Sequence, residues 1–290
     1  MANNDTIGRP SPRVTQTLAA IKRLQRDRTH RDTQGTFFIE GVRNFIRVAD
    51  CDLKIETILY SENLLIAPLA RKLVRQLRRS GTPTVRVSPE QFRSISQTDR
   101  ASGIGAIVKQ HWLPLESTTP QAGLCWIVLD RIRSPGNFGT LIRTLEAVGG
   151  AGFILLDRSV DPFAPDTVRA SMGALFHQKF IRTNSRLLQS WIQQHRGRTI
   201  GASPEGRQSF HQCHYPQATL LCLGEERKGL SDRQRAICDD LVSIPMVGQA
   251  DSLNVAVAGS LLIYEVFRSR NGEGGIRTDD LSSSDRYLNS

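Results

Sequence analysis

The chain has 290 residues, of which 39% are hydrophobic and 23% charged, a composition typical of a globular protein with room for two domains. The net charge is +10, and its distribution is uneven: residues 1–115 hold 19 Lys and Arg against 10 Asp and Glu, whereas residues 116–290 hold 19 against 18. This imbalance predicts that the first part meets a polyanion. A nucleic acid fits best, because phosphates are contacted mainly by Lys and Arg. A basic surface kept for solubility is the alternative.

The cysteines and the N-terminus argue against an extracellular or membrane protein. The five cysteines are odd in number and lack the spacing of a disulfide framework, which indicates a reducing compartment. The cluster of His211, Cys213 and His214 lacks a second ligand pair, so no metal site is predicted. Residues 1–10 lack the apolar core of a signal peptide, and the longest apolar run, 254–267, is too short to span a bilayer. We therefore expect a cytoplasmic protein without membrane contact.

The first half of the chain predicts a small α/β domain over residues 14–112, after a disordered start at 1–13. Helices are expected at 15–28, 41–51, 69–79 and 89–95, and strands at 36–40, 56–60, 84–87 and 104–109. The helix at 69–79 is strongly basic around Leu69, Leu73 and Leu77. The candidate contacts to the nucleic acid are Arg71, Lys72, Arg75, Arg78 and Arg79 of this helix, together with Arg43.

A linker rich in proline and polar residues is predicted at 113–123, followed by a second domain at 124–270 and a disordered tail at 271–290. Strands are expected at 124–129, 152–156, 178–181, 199–202, 220–223 and 241–244. Helices are expected at 137–148, 165–172, 185–194, 231–238 and from 253 onward. This alternation predicts a mostly parallel sheet with helices on both faces. The apolar residues of the last helix lie on nearly every side, which predicts packing on several faces.

Three junctions between a strand and a helix carry polar residues and glycines in this second domain. The first, 130–143, places Asn137 where it can cap a helix, with Gly139 and Arg143 on one helical face. The second, 223–231, is expected to bring backbone close to a ligand at Gly224 and to supply the carboxylate of Glu226.

The third junction, 241–254, has a turn expected at Gly248, followed by Ser252 and Asn254 at the start of the last helix. Each junction alone is more simply a turn with a helix cap. Three of them in one domain favour a shared pocket, because ligands of α/β sheets bind at the carboxyl ends of strands.

These segments resemble the three signature motifs of the SpoU (TrmH-type) RNA ribose methyltransferases of the SPOUT superfamily. The first motif, an Asn followed by a Gly two residues on and an Arg four further on, is matched by Asn137, Gly139 and Arg143. The second, Gly-x-Glu-x-x-Gly-Leu-Ser, is matched over residues 224–231. The third, Ile-Pro-Met-x-Gly and then Ser-Leu-Asn-Val-Ser-Val-Ala, is matched at 244–248 and 252–258, except that Ala256 replaces the family's Ser. Residues 35–41 and 168–174 also resemble the family.

The resemblance implies transfer of a methyl group from S-adenosylmethionine to a ribose 2′-hydroxyl of RNA, by a domain with a deep trefoil knot and in a homodimer. Ribosomal RNA is the expected substrate. The family's cofactor loops map to Leu223, Gly224, Ile244, Met246, Gly248 and Leu253. Its catalytic positions map to Arg143, Asn137, Glu226, Ser252 and Asn254. A guanidinium keeps its proton at neutral pH, so Arg143 is expected to bind the target phosphate and stabilise negative charge instead of acting as a base.

The sequence leaves other functions open. A transfer RNA could be the substrate, or a base could be methylated instead of a ribose. An inactive RNA-binding or ribosome-assembly protein is a further alternative, although all five catalytic positions are occupied by the family's residue types. A different nucleotide-using α/β enzyme is disfavoured, because no Walker motif or complete dinucleotide fingerprint is present.

Overall fold

A computed structural model describes residues 11–51, 53–156 and 159–271. The predicted disorder at 1–13 and 271–290 falls almost wholly outside these residues, although Pro12 and Arg13 begin the first helix. The described chain divides into two compact units. The first comprises the described residues up to Leu113 together with Arg133–Glu146 and Ser159–Phe180. The second comprises Pro114–Ile132, 147–156 and 181–271.

The first unit contains a four-stranded sheet covered by short helices. Its elements in chain order are α1 (Pro12–Arg26), α2 (Arg28–Gln34), β1 (Thr36–Glu40), α3 (Val42–Asp50), β2 (Ile55–Tyr60), α4 (Pro68–Arg79), β3 (Thr84–Arg86), α5 (Pro89–Arg93), β4 (Ile104–Lys109) and β5 (Trp112–Leu113). The sheet order is β1-β4-β2-β3. Strand β4 runs antiparallel to both neighbours, whereas β2 and β3 are parallel. The predicted small α/β domain is therefore present.

Two helices of the first unit differ from the predicted pattern. The single helix expected at 15–28 is broken at Asp27, whose carboxylate accepts a hydrogen bond from the His30 N–H at 3.0 Å and so caps α2. In α4 the buried residues are Ala70 and Val74, while Leu69 is 47% exposed. Leu73 and Leu77 are half-buried beside them, so the apolar face of α4 runs through Ala70 and Val74, and Leu69 lies at its edge.

A buried ion pair joins distant parts of the chain within the first unit. The Nε and Nη2 groups of Arg31 donate to the same carboxylate oxygen of Asp161 at 3.0 and 2.7 Å, and Nη1 donates to the carbonyl of Leu24 at 2.6 Å. Both charged side chains are about 95% buried, at 5% and 6% exposure. Since buried charges need partners of this kind, the pair fixes the segment from Ser159 against α2.

The helix that carries the first motif also belongs to the first unit. It is α6 (Pro135–Ala147), and the short α7 (Pro165–Ala170) packs closely against it. A methyl group added at Gly139 would lie 2.4 Å from the Cβ of Ala170 and 2.7 Å from its carbonyl carbon, so the two helices approach too closely for any larger residue. Arg143 follows Gly139 by four residues, so it lies one helical turn after the point at which α6 contacts α7.

The second unit is built on a parallel sheet. Its strands are β6 (Trp126–Asp130), β7 (Gly152–Leu156), β8 (Phe180–Thr183), β9 (Arg198–Ala202), β10 (Gln208–Ser209), β11 (Thr219–Leu223) and β12 (Asp240–Ser243), in the order β10-β12-β9-β11-β6-β7-β8. The pairs from β10 through to β7 are all parallel. Every residue of β6, β7 and β11 is buried, as expected for a sheet covered on both faces. The helices are α8 (Ser185–His195), α9 (Asp232–Ile237) and α10 (Val255–Asn271).

Helix α10 is buried on one side only. Ala256, Leu262, Ile263 and Val266 are buried, whereas Val257, Leu261 and Tyr264 are 48%, 41% and 52% exposed. The prediction of packing on several faces is wrong for the single chain, because these three apolar residues follow one another at helical spacing on an open face. None of the helices in the described part of the chain combines the length and apolar composition that crossing a lipid bilayer requires.

Candidate active site

A pocket of about 350 Å³ lies in the second unit at the carboxyl ends of β9, β11 and β12. Because these strands are parallel, the loops that follow them meet at one edge of the sheet. The predicted residues that line the pocket are Leu223, Gly224, Ile244, Met246 and Leu253 of the cofactor set, and Glu226 and Ser252 of the catalytic set. The structure thus brings seven predicted residues from the second and third motifs together.

Gly224 is required by the shape of its own loop. A Cβ at this position would lie 2.1 Å from the carbonyl carbon and oxygen of Gly229. Glu225 and Gly229 form a short antiparallel bridge, in which each N–H donates to the other's carbonyl at 2.9 Å. Glycine is therefore required at position 224 because the backbone of residues 224 and 229 passes at close distance, in addition to any approach by a ligand.

Ser231, expected as the cap of the next helix, and Gln234, which the sequence analysis missed, hold this loop against α9. Ser231 and Gln234 form a capping box, in which each side chain accepts a hydrogen bond from the other residue's backbone N–H. The fully buried amide of Gln234 also donates to the carbonyl of Leu223 at 3.0 Å, and the hydroxyl of Ser231 donates to Asp130 at 3.1 Å. A Ser followed by Gln three residues later is a capping signal that could have identified Gln234.

The third motif supplies the cap of α10. The side-chain oxygen of Asn254 accepts hydrogen bonds from the N–H groups of Ala256 at 2.8 Å and Val257 at 3.4 Å, so Asn254 performs the capping function. Ser252 lies two residues earlier and faces the pocket instead. Asn254 is not among the residues that line this pocket, although it adjoins Leu253 and Val255, which are.

Gly248 also lies outside the pocket lining. Its φ angle is not in the left-handed region, and a Cβ added there would meet no atom within 4 Å. The expectation that a turn requires glycine at this position is therefore wrong, since any residue could adopt this backbone.

The first motif differs from its expected capping role. Helix α6 begins at Pro135, which makes Asn137 its third residue and not its cap. The hydroxyl of Ser134 accepts a hydrogen bond from the backbone N–H of Asn137 at 3.3 Å, so Ser134 acts as the cap. Proline at the first helical position explains the earlier start, because its missing N–H needs no partner there.

Arg143 lies in a cleft of about 190 Å³ in the first unit. The residues around it are Arg47 of α3, Glu146 of α6, and Ser171, Met172, Gly173, Ala174 and His177 from the segment after α7. The guanidinium of Arg143 is exposed and, within the described part of the chain, forms no hydrogen bond or ion pair. It is therefore available to bind an anion.

The predicted RNA contacts of α4 are exposed but not equivalent. Arg71 donates to the carbonyls of Leu65 at 2.5 Å and Glu62 at 3.0 Å, and so fixes the turn before the helix. Lys72, Arg75, Arg78 and Arg79 lie on the solvent side of α4. Arg43 of α3 contacts the sulfur of Met172, with Nη1 at 4.0 Å. The six predicted contacts thus divide between two helices.

The cluster around His211 serves a structural function. Glu265 of α10 is 4% exposed and accepts hydrogen bonds from Arg268 at 2.7 Å, while Nδ1 of His211 lies 3.0 Å from its other oxygen. Burial raises the pKa of Glu265, but the hydrogen bonds from Arg268 and His211 outweigh it, so that the pKa lies below its ordinary value. Among the described residues no group of three His, Cys, Asp or Glu side chains could hold a metal ion.

Comparison with known proteins identifies both parts of the chain. The profile of the SpoU rRNA methylase family matches residues 125–264, and that of the MRM3-like substrate binding domain matches residues 16–106. The 23S rRNA (uridine(2479)-2′-O)-methyltransferase of Streptomyces viridochromogenes is 30% identical over 268 residues, covering 89% of this chain and 92% of that protein.

Two solved structures resemble the whole described fold. The SpoU methyltransferase AviRb from Streptomyces viridochromogenes, in complex with S-adenosylmethionine, gives a TM-score of 0.81 at 28% identity and covers 88% of this chain and 98% of that one. An rRNA methyltransferase from Sinorhizobium meliloti with bound S-adenosylmethionine gives 0.78 at 30% identity, covering 86% and 93%.

Proposed function

The chain belongs to the SpoU rRNA methylase family, and we propose that it transfers the methyl group of S-adenosylmethionine to a ribose 2′-hydroxyl of ribosomal RNA. Membership confirms the resemblance predicted from the three motifs. The predicted enzyme class and cofactor agree with the activity and the bound molecule for which its relatives are named. The observation that carries the proposal is the second unit's pocket, which assembles two of these motifs.

The pocket fits S-adenosylmethionine in size and chemistry. Its volume of about 350 Å³ lies in the range of small-molecule sites, roughly 300–1,000 Å³. Leu223, Ile244 and Leu253 offer apolar surface for an adenine and a thioether stem. The pocket also carries charged groups of both signs, the carboxylates of Glu205, Glu225, Glu226 and Asp251 and the cations of Arg227, Lys228 and Arg235. When bound, the cofactor supplies an electrophilic methyl group.

The catalytic functions of the remaining motif residues follow from their chemistry. Arg143 binds the phosphate of the target nucleotide and stabilises the negative charge that develops as the ribose hydroxyl gives its proton to that phosphate or to water. A guanidinium cannot serve as the base, because it does not give up its own proton at neutral pH. We assign Glu226, Ser252 and Asn254 to orientation of the ribose, and Asn137 to support of Arg143.

Ribosomal RNA is the preferred substrate because relatives matched over nearly their whole length are named for it. The basic N-terminal part of the chain supports an RNA partner independently, since residues 1–115 hold 19 Lys and Arg against 10 Asp and Glu. We place the protein in the cytoplasm, where its described cysteines are expected to stay free thiols, as they are in the structure.

A homodimer is the proposed assembly, formed through α10. Its exposed stripe of Val257, Leu261 and Tyr264 is a contiguous apolar surface of the kind that protein interfaces cover. Light scattering at micromolar concentration should give twice the chain mass, and Val257→Asp with Leu261→Glu should give a monomer. A monomeric wild-type protein would contradict this assembly. The trefoil knot and the domain limits at 113–123 stay predictions.

The deciding experiment combines an assay of the purified protein with a cellular map. Radiolabelled S-adenosylmethionine should transfer label to unmodified ribosomal RNA and not to transfer RNA. Mapping of ribose methylation in a deletion strain should show one ribosomal site lost and restored by complementation. Label in transfer RNA would show that transfer RNA, and not ribosomal RNA, is the substrate. Label on a base would show that the acceptor is a base atom and not the ribose 2′-hydroxyl. Absence of transfer to any RNA would contradict enzymatic function.

A further inference from the structure

We propose that the cleft around Arg143 holds a second phosphate of the substrate RNA, bound by Arg47 of α3. This inference rests on the proposed function, because it assigns further contacts to the same RNA. It places the RNA backbone on α3 and not on α4, the helix with the larger number of basic residues.

The cleft presents two arginines without partners. Arg47 and Arg143 both line it, and both are exposed. Within the described part of the chain neither guanidinium donates a hydrogen bond or forms an ion pair. The single carboxylate of the cleft belongs to Glu146. A pair of unengaged guanidinium groups is suited to phosphate oxygens, which accept charge-assisted and bidentate hydrogen bonds.

The turn opposite α3 directs Arg47 into the cleft. Gly173 has a φ of +93°, and a Cβ added there would lie 3.1 Å from Cγ of Arg47. The aliphatic stem of Arg47 therefore packs on the glycine, which leaves the charged end of the side chain toward solvent. Close packing of the stem reduces the rotamer freedom that binding would otherwise remove.

The same turn exposes an apolar side chain beside the two arginines. Met172 has a φ of +53°, unusual for a residue other than glycine, and it is 48% exposed. Its sulfur contacts Arg43, so a third cation lies at this edge of the cleft. His177 also lines the cleft, and its Nε2 lies 3.4 Å from the sulfur of Cys51. The combination suits a nucleotide beside the target one, with its phosphate on Arg47 and its base or ribose against Met172.

The helix α4 lacks several of these features. Arg71 is already engaged with two backbone carbonyls, and Arg78 and Arg79 follow one another on an open helical surface. Exposed cations of this kind attract any polyanion without fixing its position. The difference predicts that loss of Arg47 affects RNA binding more than loss of Arg79.

The experiment compares Arg47→Ala with Arg79→Ala in the full-length protein. Binding to a ribosomal RNA fragment is measured across a series of salt concentrations, together with the kcat and KM of methylation. We expect Arg47→Ala to weaken RNA binding and raise the KM for RNA about tenfold, and to reduce the slope of log K against log salt by about one. Affinity for S-adenosylmethionine should be unchanged. Arg79→Ala should change RNA binding less than threefold.

A second variant separates charge from structure. Arg47→Lys should recover most of the RNA affinity at equal thermal stability, whereas a purely structural function of Arg47 would leave it unrecovered and lower the melting temperature. Unchanged RNA binding in Arg47→Ala, or a larger loss in Arg79→Ala, would overturn the proposal. Failure of the proposed function is distinguishable, because in that case the wild-type protein itself would not methylate RNA while the binding comparison could still be made.

Discussion

The two clefts of the protein differ in how they are built. The pocket of the second unit is formed by three loops at the ends of parallel strands, with apolar side chains and a close backbone crossing at Gly224. The cleft of the first unit is formed by side chains of two helices and a turn, with two unengaged arginines. Ligand binding in the pocket of the second unit depends on backbone shape, whereas binding in the cleft of the first unit depends on charge. We therefore expect substitutions to separate cofactor binding from RNA binding.

Arg143→Ala should produce the largest effect and should confine it to the chemistry. Loss of a group that stabilises charge in the transition state typically lowers kcat by about 10²–10³-fold. Methylation of ribosomal RNA should fall by at least this factor, while calorimetry with S-adenosylmethionine gives the wild-type affinity. Loss of cofactor affinity in this variant would contradict the separation of the two clefts.

Gly224→Ala should weaken cofactor binding and leave RNA binding intact. The added methyl would overlap the carbonyl of Gly229, so the loop has to move and the pocket wall moves with it. Affinity for S-adenosylmethionine should fall by about tenfold or more, whereas RNA binding is retained. Gly248→Ala is the matched comparison, because a Cβ there meets nothing within 4 Å, and its cofactor affinity should stay within about twofold. Equal effects of the two variants would show that the close crossing is unimportant.

The buried pair of the first unit offers a test of stability without chemistry. Asp161→Asn leaves Arg31 buried without its counter-charge, and breaking a buried pair in this way costs about 3–5 kcal/mol. Denaturant unfolding should show this loss, and the double variant Arg31→Met with Asp161→Leu should recover part of it. A change below about 1 kcal/mol in the single variant would mean that water or rearrangement satisfies Arg31.

The smallest expected effect is a pH dependence of the free energy of unfolding, which arises from Glu265 in the second unit. The pKa of Glu265 lies below its ordinary value, so its contribution is present at neutral pH and is lost as the pH falls through that lowered pKa. In Glu265→Gln the free energy of unfolding should therefore decrease less steeply between pH 5 and pH 3 than in the wild type. Glu116→Gln, an exposed control, should follow the wild-type curve. Identical slopes for all three proteins would exclude this contribution.

Motif spacing predicted the pocket of the second unit better than it predicted the start of helix α6. Leu223, Met246 and Leu253 come together because the carboxyl ends of parallel strands share one edge, a general rule that applies to a sequence of alternating strands and helices. The cap of α6 was misplaced by three residues, since Asn137 and Ser134 are both good capping residues and only packing chooses between them.

The cleft around Arg143 could not have been predicted from local patterns. It joins Arg47 to residues more than 90 positions later, and nothing in either stretch specifies the other. The basic helix α4 attracted attention because its charges are close in sequence, whereas the charges of the cleft are close only in space. The fold also buries the small Ala70 and Val74 of α4 while Leu69 stays 47% exposed, a difference set by packing and not by the hydrophobicity of each residue.

The pairing of Arg31 with Asp161 has a consequence during synthesis on the ribosome. Its two members are 130 residues apart, so the first unit cannot complete its core until the chain beyond Phe180 has been made. For several seconds of synthesis, the guanidinium of Arg31 in the nascent N-terminal segment therefore lacks its carboxylate partner. A protein truncated after residue 113 would stay in that unfinished state, and one that begins at residue 114 would carry Asp161 without Arg31. The two sequence domains are therefore expected to fold as partners and not as separable modules.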